Sequence, residues 1–198
     1  MAKRSTRDMI VGVAAGLFAT AGLRRTTMET IAAAAGRGRR TVYMYFSNKA
    51  EIYDAVVEME IRNLAGPLSN IVQTEGPLDL ILMRYSEERV RGIGRLLERN
   101  PLLMKDFAMG HSRIERLRDK LQKAEMKMLV PLFRQYAAGS SAPGNHSPED
   151  FASILLNMLR GTDRLITKTD GLYEAIRLSS LSTWVLLRAI ECEKPPPV

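Results

Sequence analysis

Residues 25–49 constrain the fold of this chain more than any other stretch. Thr26, followed three residues later by Glu29, has the spacing of a capping box and predicts a helix starting at about Thr27. That helix would bury Met28, Ile31, Ala32 and Ala35 and end at Gly36, which tolerates the positive φ a tight reversal needs. After Gly38 a second short helix is predicted to run to about Tyr45, with Val42 and Phe46, four apart, facing inward. Two short helices joined at a glycine-marked turn form a helix-turn-helix.

The charge falls in the same place. Residues 1–49 hold nine basic residues (Lys3, Arg4, Arg7, Arg24, Arg25, Arg37, Arg39, Arg40 and Lys49) against Asp8 and Glu29, a net of +7. The whole chain of 198 residues also carries +7, so residues 50–198 are balanced. A basic excess confined to one quarter of a chain is the footprint of a polyanionic partner.

The second helix has the chemistry such a partner requires. Its outward face would present Arg39, Arg40, Thr41, Tyr43 and Met44. Arginine pairs bidentately with guanine, and threonine reaches phosphate or a thymine methyl. The hydroxyls of Tyr43 and Tyr45 suit phosphate oxygens, although Tyr45 is equally suited to packing. Arg37 is a further candidate for phosphate, and Lys49 adds charge at the start of the next helix.

Helical periodicity continues through the rest of the chain, with no convincing alternating strand. The expected class is all-α, with about nine helices. The first, from about Thr6 to Ala21, carries Ile10, Val13, Ala14, Leu17 and Phe18 on one face and stops at Gly22. Asn48 with Glu51 caps a fourth helix, and Gly66-Pro67 and Gly76-Pro77 are expected to break the chain. Further helices are predicted over 78–99, 101–109, 112–137 (bent at Pro131), 148–167 and 172–193. Ser147-Pro148-Glu149-Asp150 reads as N-cap, first-turn proline and first-turn acids.

Beyond the head, flexible Met83, Met104, Met109, Met126 and Met158 suit an adaptable apolar ligand cavity, and suit equally the filling of core gaps. The last two predicted helices carry broad apolar surfaces that include Phe151, Leu155, Leu159, Leu181, Trp184 and Val185. Surfaces of that width must be buried in a core or against a second subunit.

Several function classes find no support. The lone Cys192 makes no intrachain disulfide, and His111 and His146 lie far apart, so neither a disulfide framework nor a metal site is expected. No apolar run reaches the length of a membrane span, and no secretory signal is indicated. No nucleophile elbow or phosphate-cradling glycine loop is present, and Glu87-Glu88 diverge on a helix. The expectation is a cytoplasmic protein that is no enzyme and takes no cofactor.

The head resembles the TetR family of bacterial transcriptional regulators. The resemblance rests on Leu17-Phe18, Gly22, Thr26-Thr27-Met28, Ile31 to Gly36, Thr41-Val42-Tyr43, Tyr45-Phe46 and Asn48-Lys49, and covers roughly residues 6–57. It implies a three-helix DNA-binding head (1–47) and a helical body (48–198) that binds a small effector and dimerises through its last two helices. It also implies that Thr26, next to Thr27, contacts phosphate, that Thr41 and Tyr43 reach the groove, and that Lys49 holds phosphate. Arg37 departs from the pattern, standing where the family has a small aliphatic residue. Burying it would weaken the turn. Gly38 and Arg40 depart too, where the family often has serine and glycine.

The expected function is that of a ligand-responsive regulator of transcription, a homodimeric repressor released from double-stranded operator DNA by a small hydrophobic effector. The alternative is a nucleoid-architecture or division-control protein that binds DNA without an effector.

Overall fold

The computed structural model describes residues 5–102, 112–139 and 147–191. Among them are nine α-helices and one 3-10 turn, with no strand. In chain order the helices are α1 (Thr6–Thr20), α2 (Gly22–Arg25), α3 (Met28–Ala34), α4 (Arg39–Tyr45), α5 (Lys49–Val72), α6 (Leu78–Arg99), α7 (Ser112–Gly139), α8 (Pro148–Thr162) and α9 (Gly171–Glu191). The 3-10 turn, Asp163–Thr167, follows α8.

Most boundaries fall where the sequence places them. Gly22 takes φ +82° after α1, and the Ser147 cap, first-turn Pro148 and first-turn Glu149 and Asp150 of α8 form as read. Other readings change: the helix expected over 148–167 ends at Thr162 and gives way to the 3-10 turn, and α2 was not expected. The cap of α3 is Thr27, whose hydroxyl accepts from Thr30 N while Thr30 Oγ1 accepts from Thr27 N; Thr26 with Glu29 makes no such box. Pro67 does not break the chain, since α5 runs through it to Val72. Gly66 and Pro67 face solvent, so water can satisfy the carbonyl that loses its helical donor. The bend read at Pro131 and the helix read over 101–109 are a different matter: Pro131 lies within α7, whereas residues 103–109 lie outside the described residues.

The head closes on one apolar cluster. Ile10, Ala14 and Phe18 of α1 meet Ile31 of α3, Val42 of α4 and Ile52 of α5. Ala55 and Val56 belong to it as well, so the first turns of α5 are packed as part of the head. Phe18 also meets Tyr53 edge to face, centroids 5.8 Å apart.

The body has two apolar clusters. The distal one gathers Leu68, Leu82, Leu129, Phe133, Leu155, Leu159 and Leu187. The proximal one gathers Leu64, Val90, Ile93, Leu97, Leu117, Leu121 and Ile166. Leu155 and Leu159, expected at a subunit interface, are wholly buried here, because α8 lays that face against its own chain. Phe151 is also turned inward, stacked near Phe133 at 5.9 Å. Among the open apolar positions are Ile154 on α8 and Leu181, Trp184 and Val185 on α9, each about half exposed.

Candidate nucleic-acid interface

The turn between α3 and α4 is built from backbone bonds. Gly36 sits at φ +59°, its N–H donates to Ala33 O at 3.1 Å, and Arg37 N–H donates to Ala32 O at 3.0 Å. Gly38, extended, then opens α4. Val42 and Phe46 are buried beneath that helix, which forces the remaining positions outward.

The outward face is the one the sequence describes. Arg39, Arg40, Tyr43, Met44 and Tyr45 are exposed, and Thr41 is half-buried between them and the core. Met44 is 76% exposed, an open position for an apolar side chain that no neighbour covers. Arg37 is exposed as well, so the expected cost of burying it at the turn does not arise.

Arg39 is held rather than free. Its Nη2 lies 3.0 Å from Glu29 Oε1, and its guanidinium sits 5.5 Å from the centre of the Tyr43 ring. Glu29 is kept below the usual carboxylate range, first by a backbone N–H at the start of α3 and then by Thr27. Arg7 of α1 lies over Phe46, 5.0 Å from its centroid, and joins the first helix to the end of the fourth. Neither contact was legible in the sequence, since the partners stand 10 and 39 residues apart with no local spacing signal.

Two expected phosphate ligands are engaged elsewhere. Lys49 Nζ donates to the carbonyls of Leu23 at 2.7 Å, Thr26 at 2.7 Å and Arg24 at 3.4 Å. Its three protons close the C-terminal end of α2, where a cation is favoured, and none is left for phosphate. Thr26 is 2% exposed and its hydroxyl donates to Gly22 O at 2.9 Å. Thr27, by contrast, is exposed at the start of α3.

Three of the methionines offered for a ligand cavity are among the described residues. Met126 and Met158 pack against the distal cluster, and Met83 is half-buried on α6. A cavity of about 910 Å³ lies between α5, α6 and α7, and another of about 460 Å³ lies where head meets body. Neither is lined by Met83, Met126 or Met158, whose flexible side chains fill space against packed helices. Met104, Met109, His111, His146 and Cys192 lie outside the described residues.

A two-helix unit with a buried base and an open, basic outer face can enter the DNA major groove. Residues 10–56 match the pattern of the bacterial regulatory proteins of the tetR family. The chain carries a TetR-family head.

Solved structures extend the likeness of fold to the body. A Mesorhizobium loti MAFF303099 protein assigned to the tetR family superposes with a TM-score of 0.73 at 18% identity, covering 93% of this chain and 96% of that one. SmeT, the repressor of the Stenotrophomonas maltophilia multidrug efflux pump SmeDEF, superposes at 0.66 with 20% identity, covering 98% of each. The fatty acid degradation regulator FadR from Bacillus halodurans superposes at 0.64 with 19% identity, covering 92% and 97%. At these identities the shared property is the TetR fold. No curated sequence matches. Among the described residues no helix is long and apolar enough to cross a membrane.

Proposed function

We propose that the chain is a ligand-responsive, sequence-specific repressor that binds operator DNA as a homodimer. The observation that carries this reading is the outer face of α4, where Arg39, Arg40, Tyr43 and Met44 stand open on a base of buried Val42 and Phe46. Arg39 and Arg40 read bases, while Tyr43, Tyr45, Thr27 and Arg37 hold phosphates or flank the groove. The head spans 1–47 together with the first turns of α5, and the remainder of 48–198 binds the effector and dimerises.

Dimerisation rests on the strip of Ile154, Leu181, Trp184 and Val185 across α8 and α9. Four large apolar side chains left half open along two adjacent helices need a cover, and a second copy supplies an identical strip. Two heads so joined would read half-sites one helical turn, ~34–36 Å, or a multiple apart. Repression and an effector are supported by SmeT, described as a repressor, and by a SmeT–triclosan complex that superposes at a TM-score of 0.66 with 20% identity over 98% of this chain.

Selection of duplexes from a random pool by the full chain tests the reading. The expected product is a palindromic site, bound about 1–3 kcal/mol more weakly once Arg39→Ala is introduced, and again with Arg40→Ala. An intact Arg39→Ala, Arg40→Ala double variant that keeps full affinity overturns the recognition face. Leu181→Glu should convert the dimer to monomer or aggregate in sedimentation, and a dimer unaffected by it overturns the proposed strip. Enrichment of unrelated duplexes, with many dispersed chromosomal sites, would favour the architectural alternative.

A further inference from the structure

We propose that the cavity where head meets body is an effector site, and that it takes a mainly aromatic molecule without positive charge. The proposal rests on the ligand-responsive reading and says where the ligand sits. The cavity holds about 460 Å³, within the range of small-molecule sites. Its apolar wall combines Phe18 and Leu23 from the head, Tyr53 and Val56 of α5, Leu96 of α6 and Leu117 of α7. Head and body thus contribute walls to one space.

Some of the polar groups on its border already have partners. Arg25 Nε donates to Ala21 O at 2.9 Å, Asn100 Nδ2 donates to Leu96 O at 2.8 Å, and Glu60 faces Arg99 at 3.9 Å. Arg24 and Arg25 line the cavity, and the carboxylate of Glu60 among the lining residues already faces Arg99, so the border is basic. A cationic ligand would give up hydration and face the two guanidinium groups with no free carboxylate to meet it. An uncharged ring system loses little hydration and gains the contacts of the wall.

The location couples occupancy to DNA binding. The cavity wall includes α2, a helix of four residues held at its C-terminal end by Lys49 at the start of α5. The same α1 that supplies Phe18 packs through Ile10 and Ala14 on the core beneath α4. A molecule wedged between α2 and α6 would displace α1 and α2 relative to α5, and α4 would move with them. The ligand shifts the equilibrium only if it binds the DNA-free arrangement better than the DNA-bound one.

The test uses the full chain, a duplex from the selection above, and the uncharged fluorophore N-phenyl-1-naphthylamine. Its fluorescence should rise on binding, and Val57→Trp, which fills the cavity, should weaken that binding about tenfold or more. Ala15→Leu, a smaller intrusion from α1, should weaken it less, and serves if Val57→Trp does not fold. Leu132→Trp, in the 910 Å³ cavity, should leave it unchanged. Saturating fluorophore should reduce duplex affinity in the wild type and spare Val57→Trp. Loss of fluorophore binding with Leu132→Trp in place of Val57→Trp would overturn the junction site and leave a ligand-responsive regulator intact. Binding at the junction with duplex affinity unchanged would overturn the coupling. Failure of the wild type to select any duplex would instead overturn the regulator reading.

Discussion

The head and the body keep themselves together in different ways. Among the described residues, the buried polar side chains of the head come down to Thr26, and its core is a single apolar cluster. In the body, among the described residues, a buried polar layer is shared by α6, α7, α8 and α9. On α6, Ser86 and Arg89 lie between the residues of the distal and the proximal cluster. Glu125 holds that position on α7, Thr162 and Asp163 at the end of α8, and Ser179 and Thr183 on α9.

The layer is internally satisfied. Arg89 Nε donates to Glu125 Oε1 at 2.7 Å and Nη1 to Asp163 Oδ1 at 2.7 Å, and Tyr85 donates its hydroxyl proton to Glu125 at 2.8 Å. Thr183 donates to Ser179 O at 2.9 Å, so Ser86 donates to Thr183 across the 2.7 Å between α6 and α9. Burial works against the charge on Arg89, but Glu125 and Asp163 outweigh it and keep the group protonated. A purely apolar bundle could slide by a helical turn at little cost. This one cannot, because a slip would strand buried charges. The head needs no such device, since the short α3–turn–α4 unit and the Lys49 clamp already fix its geometry.

Removing the arginine should produce the largest effect. Arg89→Leu leaves Glu125 and Asp163 without their counter-charge and should lower unfolding free energy by about 3–5 kcal/mol in urea titration. Replacing all three charged residues together with apolar ones of similar size should recover most of that loss. A variant restored in stability but heterogeneous in its sedimentation or spectra would show that the layer selects one packing. If Arg89→Leu alone costs less than about 1 kcal/mol, the contrast between the regions fails.

In the head, Lys49→Met separates the clamp from phosphate binding. Loss of a charged donor to three carbonyls should cost about 1–3 kcal/mol of stability. The dependence of DNA affinity on salt should keep its slope. A slope shallower by about one, with stability unchanged, would return Lys49 to the phosphate contacts.

What could be read from the sequence was what local spacing encodes. Asn48 with Glu51, Gly36 in the turn and α6 between Pro77 and Asn100 involve neighbours within four residues, and the structure places them as read. The outward face of α4 followed from Val42 and Phe46 on one side of a helix. What was not legible depends on partners distant in the chain. Lys49 reaches carbonyls 23 to 26 residues away, and Arg89 finds Glu125 at 36 and Asp163 at 74. The inward turn of Leu155 and Leu159 was hidden for a related reason. An apolar face on α8 has the same pattern whether its partner is α7 of its own chain or a second subunit.

The smallest effect expected is on pH dependence, and it sharpens the contrast between the two regions. Burial raises the pKa of Glu125 above its ordinary value, outweighing Arg89 and Tyr85, which favour its charged form. Between the unfolded pKa, about 4.5, and the raised folded value, the native state holds a proton that the unfolded chain has lost. Stability from this group is therefore fully present below about 4.5 and declines as pH rises through the folded pKa. Glu29 in the head has the opposite sign: its pKa is lowered, so its contribution is present above 4.5 and fades as pH falls through the folded value. Glu125→Gln should remove the decline with rising pH and leave the acid-side loss in place. The check is urea unfolding of both proteins at a series of pH values, comparing the difference between them. A constant difference across the series would mean that Glu125 titrates alike in the folded and unfolded chain, and that the polar layer does not desolvate its carboxyl.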